Sequence, residues 1–293
     1  MFNLKSSTVL KCAVVALFAL ASCSKNEDTT VPETKAPDTL YQVQAIYWGD
    51  NIVYDSFVYK ENKLTEAWFY DEDEKAYMQK SIYTYNADGF LTKSLNYAKY
   101  RSNDMYLRSV DSIAWSDSKL VDYSYSFEEN KTNIIGRDTT VISLDASKRM
   151  TLIGTKDTIR YSDYKQVDYL EYAFTGNNIT THTNKYYSAP NNSNIPGNEY
   201  TTVTTLEFGD LINPLQEVLI KNPILAMDLD DELPGVFLSG NNVKKITETY
   251  RGETSVYTAT SQALPGTKVL SKYLFTFGEK NLTCGYKINK IVK

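Results

Sequence analysis

Histidine and cysteine are almost missing from this chain, with one His and three Cys in 293 residues. A single imidazole argues against multi-histidine metal centres and His-based proton shuttles as groups, and no metal or cofactor is expected. Basic charge is in deficit: 31 Lys+Arg against 36 Asp+Glu give a net charge of −5 and a pI near 5.2. A protein that coats nucleic acid needs the opposite balance. Glycines are scattered over turns, so there is no phosphate-cradling Gly-rich loop, and no G-x-S-x-G is present. Long apolar runs are also lacking. The run Cys12 to Ala21 would extend about 15 Å as a helix, half the roughly 30 Å needed to cross a bilayer. With 42% hydrophobic and 23% charged residues, the remainder has the composition of a folded chain.

That short apolar run follows Lys5 and Lys11 and ends in Leu20-Ala21-Ser22-Cys23. Basic start, short core and small residues before a thiol define an export signal. The ending resembles the lipobox of bacterial lipoproteins, which implies cleavage before Cys23 and a diacylglyceryl, fatty-acylated thiol anchoring the chain to a membrane. The expected organisation is a signal peptide at 1–22, a lipidated Cys and disordered tether at 23–39, and one all-β domain at 40–293. The tether carries two prolines, many charges and no aromatic residue, so it has no apolar area to bury. Lys25-Asn26-Glu27-Asp28 resembles the signal that sends Bacteroidetes lipoproteins to the outer face of the outer membrane, with a periplasm-facing anchor as the alternative. Cleavage leaves Cys284 as the only thiol beside the lipidated one. It reads as a buried packing residue.

Tyrosine is in surplus, 24 residues, in a background rich in Thr, Val, Ile and Phe. Tyr123, Tyr125 and Phe127 alternate with serines, the period of a strand with two unlike faces. A short unit recurs: an aromatic or apolar residue, a few of Asn, Asp, Gly or Lys, then an apolar residue. It runs from Tyr59 to Leu64, Tyr85 to Leu91, Trp115 to Leu120, Leu144 to Met150, Phe174 to Ile179, Leu238 to Val243 and Phe277 to Leu282. The first five starts are 26, 30, 29 and 30 residues apart. Each unit reads as strand, turn, strand, and the series as an antiparallel meander of hairpins forming a curled sheet or open barrel.

The unit around Tyr85-Asn86-Ala87-Asp88-Gly89 resembles the YD (Rhs-type) repeat. More broadly, the lipobox and tether, the Tyr-rich hairpins, Phe208 to Pro214 and Ser239 to Val243 resemble uncharacterised Bacteroidetes lipoprotein families with porin-like curled sheets. The resemblance implies a fold and an envelope location, and no catalytic residues. One or two short helices are expected near 213–233, where Asn213-Pro214 and Asn222-Pro223 each place a capping residue before a proline. The segment from Ser188 to Glu199, with two prolines and four asparagines, reads as an exposed loop.

Candidate chemistry is thin. The acidic cluster Asp228 to Glu232 lacks the glycine and ligand phase of a calcium loop and reads as a solvated helix end. Asp71-Glu72-Asp73-Glu74 reads as a charged turn, and His182 as a solvent-facing strand residue. The aromatic surplus suits half-buried strands, but it also offers rings for stacking on sugars: Trp48, Trp68, Trp115, Tyr123 and Tyr125 are the candidate ligand-binding residues. Thr39, Ser112, Thr139 and Thr158 each follow Asp and precede an apolar residue or Thr, a context resembling the O-glycan acceptor of exported Bacteroidetes proteins. Three functions stand. The first is a non-enzymatic, lipid-anchored surface protein binding a glycan or an envelope partner. The second is a cell-surface glycoside hydrolase or lyase, which needs only two well-placed carboxylates. The third is a purely structural envelope protein.

Overall fold

The computed structural model describes residues 39–49, 52–99, 104–129, 131–191, 197–230, 233 and 235–292. The signal segment, Cys23 and the tether as far as residue 38 lie outside the described residues, while Thr39, expected as the last tether residue, begins the first strand. Sixteen antiparallel strands and two short helices make up the domain. The strands of the first half are β1 (Thr39–Trp48), β2 (Ile52–Lys60), β3 (Lys63–Asp71), β4 (Ala76–Tyr85), β5 (Leu91–Ala98), β6 (Tyr106–Trp115), β7 (Lys119–Phe127) and β8 (Ile134–Leu144). Those of the second half are β9 (Met150–Arg160), β10 (Tyr164–Thr175), β11 (Asn178–Pro190), β12 (Asn198–Ile212), β13 (Asn241–Tyr250), β14 (Glu253–Ala263), β15 (Leu270–Phe277) and β16 (Lys280–Val292). Each strand pairs with its sequence neighbours, and β1 pairs with β16 from Thr39↔Val292 to Trp48↔Cys284, so the sheet closes into a barrel. Closure removes both sheet edges.

The first five repeat units are the turns at one end of this barrel. Between β2 and β3 the turn residues Glu61 and Asn62 both have positive φ, +51° and +63°, the geometry that a two-residue hairpin requires. A spacing near 30 follows because every second turn lies at the same end. The apolar residues flanking these turns point inward. Leu64, Leu91, Leu120, Leu144, Met150 and Ile179 form a buried collar.

At the place of the sixth such turn, between β12 and β13, the chain makes a plug instead. It contains α1 (Gln216–Lys221) and α2 (Pro223–Asp230) and packs Leu219, Leu225, Val236 and Phe237 against the collar. Its entry and exit are cross-bonded: Asn213 donates through Nδ2 to the carbonyls of Phe237 and Ser239, both at 2.8 Å. The backbone N–H of Leu211 donates to Asn242 Oδ1 at 2.9 Å. Gly209 is required there, because a Cβ would lie 2.4 Å from that same Oδ1. Asn222 caps α2 as expected, its Oδ1 accepting from Leu225 N at 3.1 Å. Asn213 does not cap α1: the helix starts after Leu215, and the Asn213 side chain is spent holding the plug's two ends together.

Two seams interrupt the wall. β8 and β9 pair only from Ile142↔Ile153 to Leu144↔Met150, near the plug, leaving their other halves unpaired with each other. β1 and β2 pair only over Ala45 to Trp48. The segment expected as a loop at 188–199 is shorter than its composition suggests, since β11 runs through Pro190 and β12 starts at Asn198. Cys284 is fully buried against this wall.

Candidate functional site

Beyond the collar the inward-facing positions of β4 to β7 change from apolar to polar, whereas on β1, β15 and β16 they stay apolar, with Trp48, Phe275 and Tyr286 buried. On β4 to β7 the inner face carries Ser81, Ser94, Asn96, Ser109, Asp111, Asp122 and Ser124, aligned by the pairs Ser81↔Asn96, Ser94↔Asp111, Asn96↔Ser109 and Asp111↔Ser124. Asn96 organises this wall. Its Oδ1 accepts from Ser81 Oγ at 2.8 Å and Ser94 Oγ at 2.7 Å, while its Nδ2 donates to Ser109 Oγ at 3.0 Å and Asp111 Oδ2 at 2.5 Å. All four bonding positions of that amide are filled, so the wall is rigidly set.

Two adjoining cavities occupy this polar region, about 310 Å³ and about 520 Å³, and they share Phe69, Gln79 and Asp228 in their walls. The smaller has a floor of Ile224 and Met227 from α2, so the plug closes the lumen from below. The larger opens past Tyr70, Asp71 and Glu72 at the β3–β4 turn. A separate cavity of about 220 Å³ lies at the plugged end, between Leu40, Tyr59, Leu64 and Val218, and is lined mainly by apolar groups that seat α1.

Asp122 is the perturbed group of the polar wall. Burial, assisted by the carboxylates of Asp111 and Asp138 on the neighbouring strands, pushes its carboxyl up to about 7. His182 also faces inward and is 4% exposed, contrary to the solvent-facing position its polar neighbours suggest. It stacks on Tyr172 with ring centroids 4.9 Å apart, and burial lowers its pKa to about 4. Strand alternation alone left its face open, and only barrel closure assigned it.

Across the lumen, three tyrosines stand side by side on β11, β12 and β13. Tyr186 stacks on Tyr200, with centroids 5.3 Å apart and planes 19° apart, and Tyr250 follows at 6.3 Å. They face inward because each shares its face with buried neighbours, His182 on β11, Thr204 on β12 and Ile246 on β13. Burial and the nearby Asp168 raise the Tyr200 hydroxyl. β12 and β4 are eight places apart in the ring of sixteen, so the tyrosine row and the Asn96 wall belong to opposing arcs.

The five aromatic residues expected to bind ligand are not gathered in one place. Trp48 is buried edge-on between Tyr54 and Phe237. Trp115 donates through Nε1 to the Leu91 carbonyl at 2.6 Å, tying two hairpins together near the plug. Trp68 is on the outer wall under Lys80, whose Nζ lies 4.4 Å from the ring centroid. Tyr123 and Tyr125 are also on the outer wall, paired with Thr139 and Arg137. Of the acceptor positions, Thr39 begins β1, Ser112 and Thr139 point outward, and Thr158 is exposed on β9. Asp71 to Glu74 form the expected charged turn, with Asp71 Oδ1 accepting from the N–H groups of Asp73 and Glu74.

The outer wall carries ion pairs among exposed apolar residues such as Val58, Val141 and Val256. Lys80–Glu66 at 2.9 Å, Lys245–Glu207 at 2.8 Å and Lys185–Glu199 at 3.3 Å lie outside the barrel on well-separated strands. A barrel that spans a bilayer presents an apolar band about 25 Å tall at those positions. Among the described residues no helix is long and apolar enough to cross a membrane.

No family of known proteins matches the sequence, and no curated protein matches it either. Among solved structures, a porin-like protein from Bacteroides vulgatus ATCC 8482 aligns over 86% of this chain and 99% of its own, at 11% identity and a TM-score of 0.39.

Proposed function

We propose that this chain is an outer-membrane lipoprotein whose plugged barrel is a non-enzymatic receptor for a saccharide, held in water by an acylated Cys23. The observation that carries the reading is the row Tyr186, Tyr200, Tyr250 opposite a wall of fixed amide, hydroxyl and carboxyl groups. Sugar rings offer an apolar face that stacks on aromatic rings, and hydroxyls that need several hydrogen-bonding partners at once. A closed floor suits capture and opposes passage of solute. Display at the outer face of the outer membrane, the destination for which Lys25 to Asp28 is the signal, belongs to the same reading. Glycans at Thr39, Ser112, Thr139 and Thr158 belong to the same reading, and intact-mass measurement of the exported protein tests them.

The direct test is a glycan panel followed by calorimetry on the best binder. Tyr200→Ala should weaken binding roughly threefold to tenfold by removing the central ring of the row. Unchanged affinity in that variant, or a panel with no binder, removes the proposal. Hydrolysis is a second reading, favoured by one observation. Asp122, raised to about 7, has the pKa of a general acid, and Asp111 lies diagonally across on β6 as the second carboxyl. Release of new reducing ends from the bound glycan, abolished in Asp122→Asn, would establish it.

A further inference from the structure

Asp122 is the polar group that the fold serves worst. It is 5% exposed and lines the 310 Å³ cavity, yet its Oδ1 has no hydrogen-bond partner. Its charged surroundings are nearly all of one sign. Asp111 lies diagonally on β6, Asp138 projects from β8, and Asp228 reaches the cavity from α2. The linings of the two adjoining cavities together hold seven carboxyl side chains against one guanidinium, that of Arg108, which sits exposed nearer the mouth. A carboxyl so placed stays neutral by holding a proton, unless something positive replaces that proton.

A metal ion fits poorly. Diagonal neighbours on adjacent strands are roughly 7–8 Å apart, too far to converge on one ion through bonds of about 2.3–2.6 Å. Among the described residues no three His, Cys, Asp or Glu side chains gather closely enough to hold one. A primary ammonium has other needs, one carboxylate oxygen and two further acceptors at hydrogen-bond distance. Asp122 supplies the first. Ser124, next along the same face of β7, lines the same cavity and supplies a hydroxyl, and water in the open lumen supplies the remaining acceptor.

We infer that the lower lumen is an ammonium pocket, so that the saccharide taken by this barrel carries a free amino group. The inference rests on the saccharide reading above and adds the substrate class to it. An ammonium bound at Asp122 displaces the carboxyl's proton, because the two compete for the same oxygen. With Asp122 raised to about 7, most copies hold that proton at pH 6, and binding releases it.

The experiment is calorimetry at pH 6 on the full-length protein, in two buffers of different ionisation enthalpy. The probes are a glucosamine trisaccharide, its N-acetylated counterpart and spermidine. The glucosamine oligomer should bind at least about tenfold tighter than the acetylated one, the worth of one charge-assisted bond, with release of protons. Asp122→Asn keeps the volume and should erase both the preference and the proton release, while a thermal melt confirms the barrel is intact. Equal binding of the two trisaccharides, or an Asn variant that keeps the preference, overturns the inference and leaves the saccharide reading standing. Proton-releasing binding of spermidine without binding of either sugar sustains the pocket and ends the saccharide reading. No binding of any probe ends both.

Discussion

On β5 the inner face passes from Leu91 to Ser94, on β7 from Leu120 to Ser124, and on β11 from Ile179 to Asn184. The first of each pair is fully buried against the plug, and the second is a polar inward-facing position, of which Ser124 lines the lumen. One strand therefore serves two solvents within a few residues. At the plugged end the interior is filled by apolar collar and helix. Toward the open end, on the arc of β3 to β7, it is left partly empty and hydrogen-bonded. The difference teaches that inward-facing and core are separate properties in a barrel with a plug at one end. Apolar burial is concentrated where the plug sits, and Asp122 lies in the polar region directly above it.

Cutting into the collar gives the strongest test of this contrast. Leu120→Ala should lower unfolding free energy by about 2–4 kcal/mol in denaturant titration, whereas Ser124→Ala, four residues along the same strand, should change it by less than about 0.5 kcal/mol. Equal costs would mean that the two ends do not differ in their share of stability. The plug's clasp comes next: Asn213→Ala leaves two buried carbonyls unpaired and should cost about 2–3 kcal/mol.

Titration separates two buried groups of the barrel interior by sign. Asp122 has a folded-state value near 7, above its ordinary 3.8, so the folded chain holds a proton that the unfolded chain has lost. Its contribution to stability therefore falls as pH rises from about 4 to 7. Asp122→Asn should gain about 2 kcal/mol at pH 8, allowing for solvent screening, and nothing below pH 4. His182 acts the other way. Its folded value near 4 lies below its ordinary 6.5, so stability is lost as pH falls from about 6.5 to 4. His182→Gln should flatten that acid limb in a series of melts. A matching slope in both variants would contradict the burial assigned to one of them. The smallest effect concerns the seam. In hydrogen exchange, amides of Ile134 to Val141 and of Thr155 to Arg160 that face the β8–β9 seam should exchange faster than those at Ile142 to Leu144, where the strands pair.

The hairpins were legible because they are local. Turns such as Glu61-Asn62 and the apolar residues on either side are adjacent in sequence, and so is the cap that Asn222 places on α2. The role of Asn213 was not legible: its partners Phe237 and Ser239 lie beyond two helices, and its side chain looks like any cap until they arrive. The ligand candidates failed to converge for a related reason. Trp is rare and conspicuous, yet large rings are also the best fillers of an apolar interior, as Trp48 against Phe237 and Trp115 near the plug show. The tyrosine row consists of ordinary strand residues, brought abreast only by the register of three strands.

By itself, the sequence specified an acidic all-β chain of repeated hairpins with a short helical insertion, because turn chemistry and two-residue alternation act between near neighbours. Whether β1 would meet β16, whether the insertion would fold inward, and which face would enclose the lumen were decided by the tertiary structure. Those outcomes depend on contacts between opposite ends of the chain, and alternation distinguishes two faces without saying which is inside.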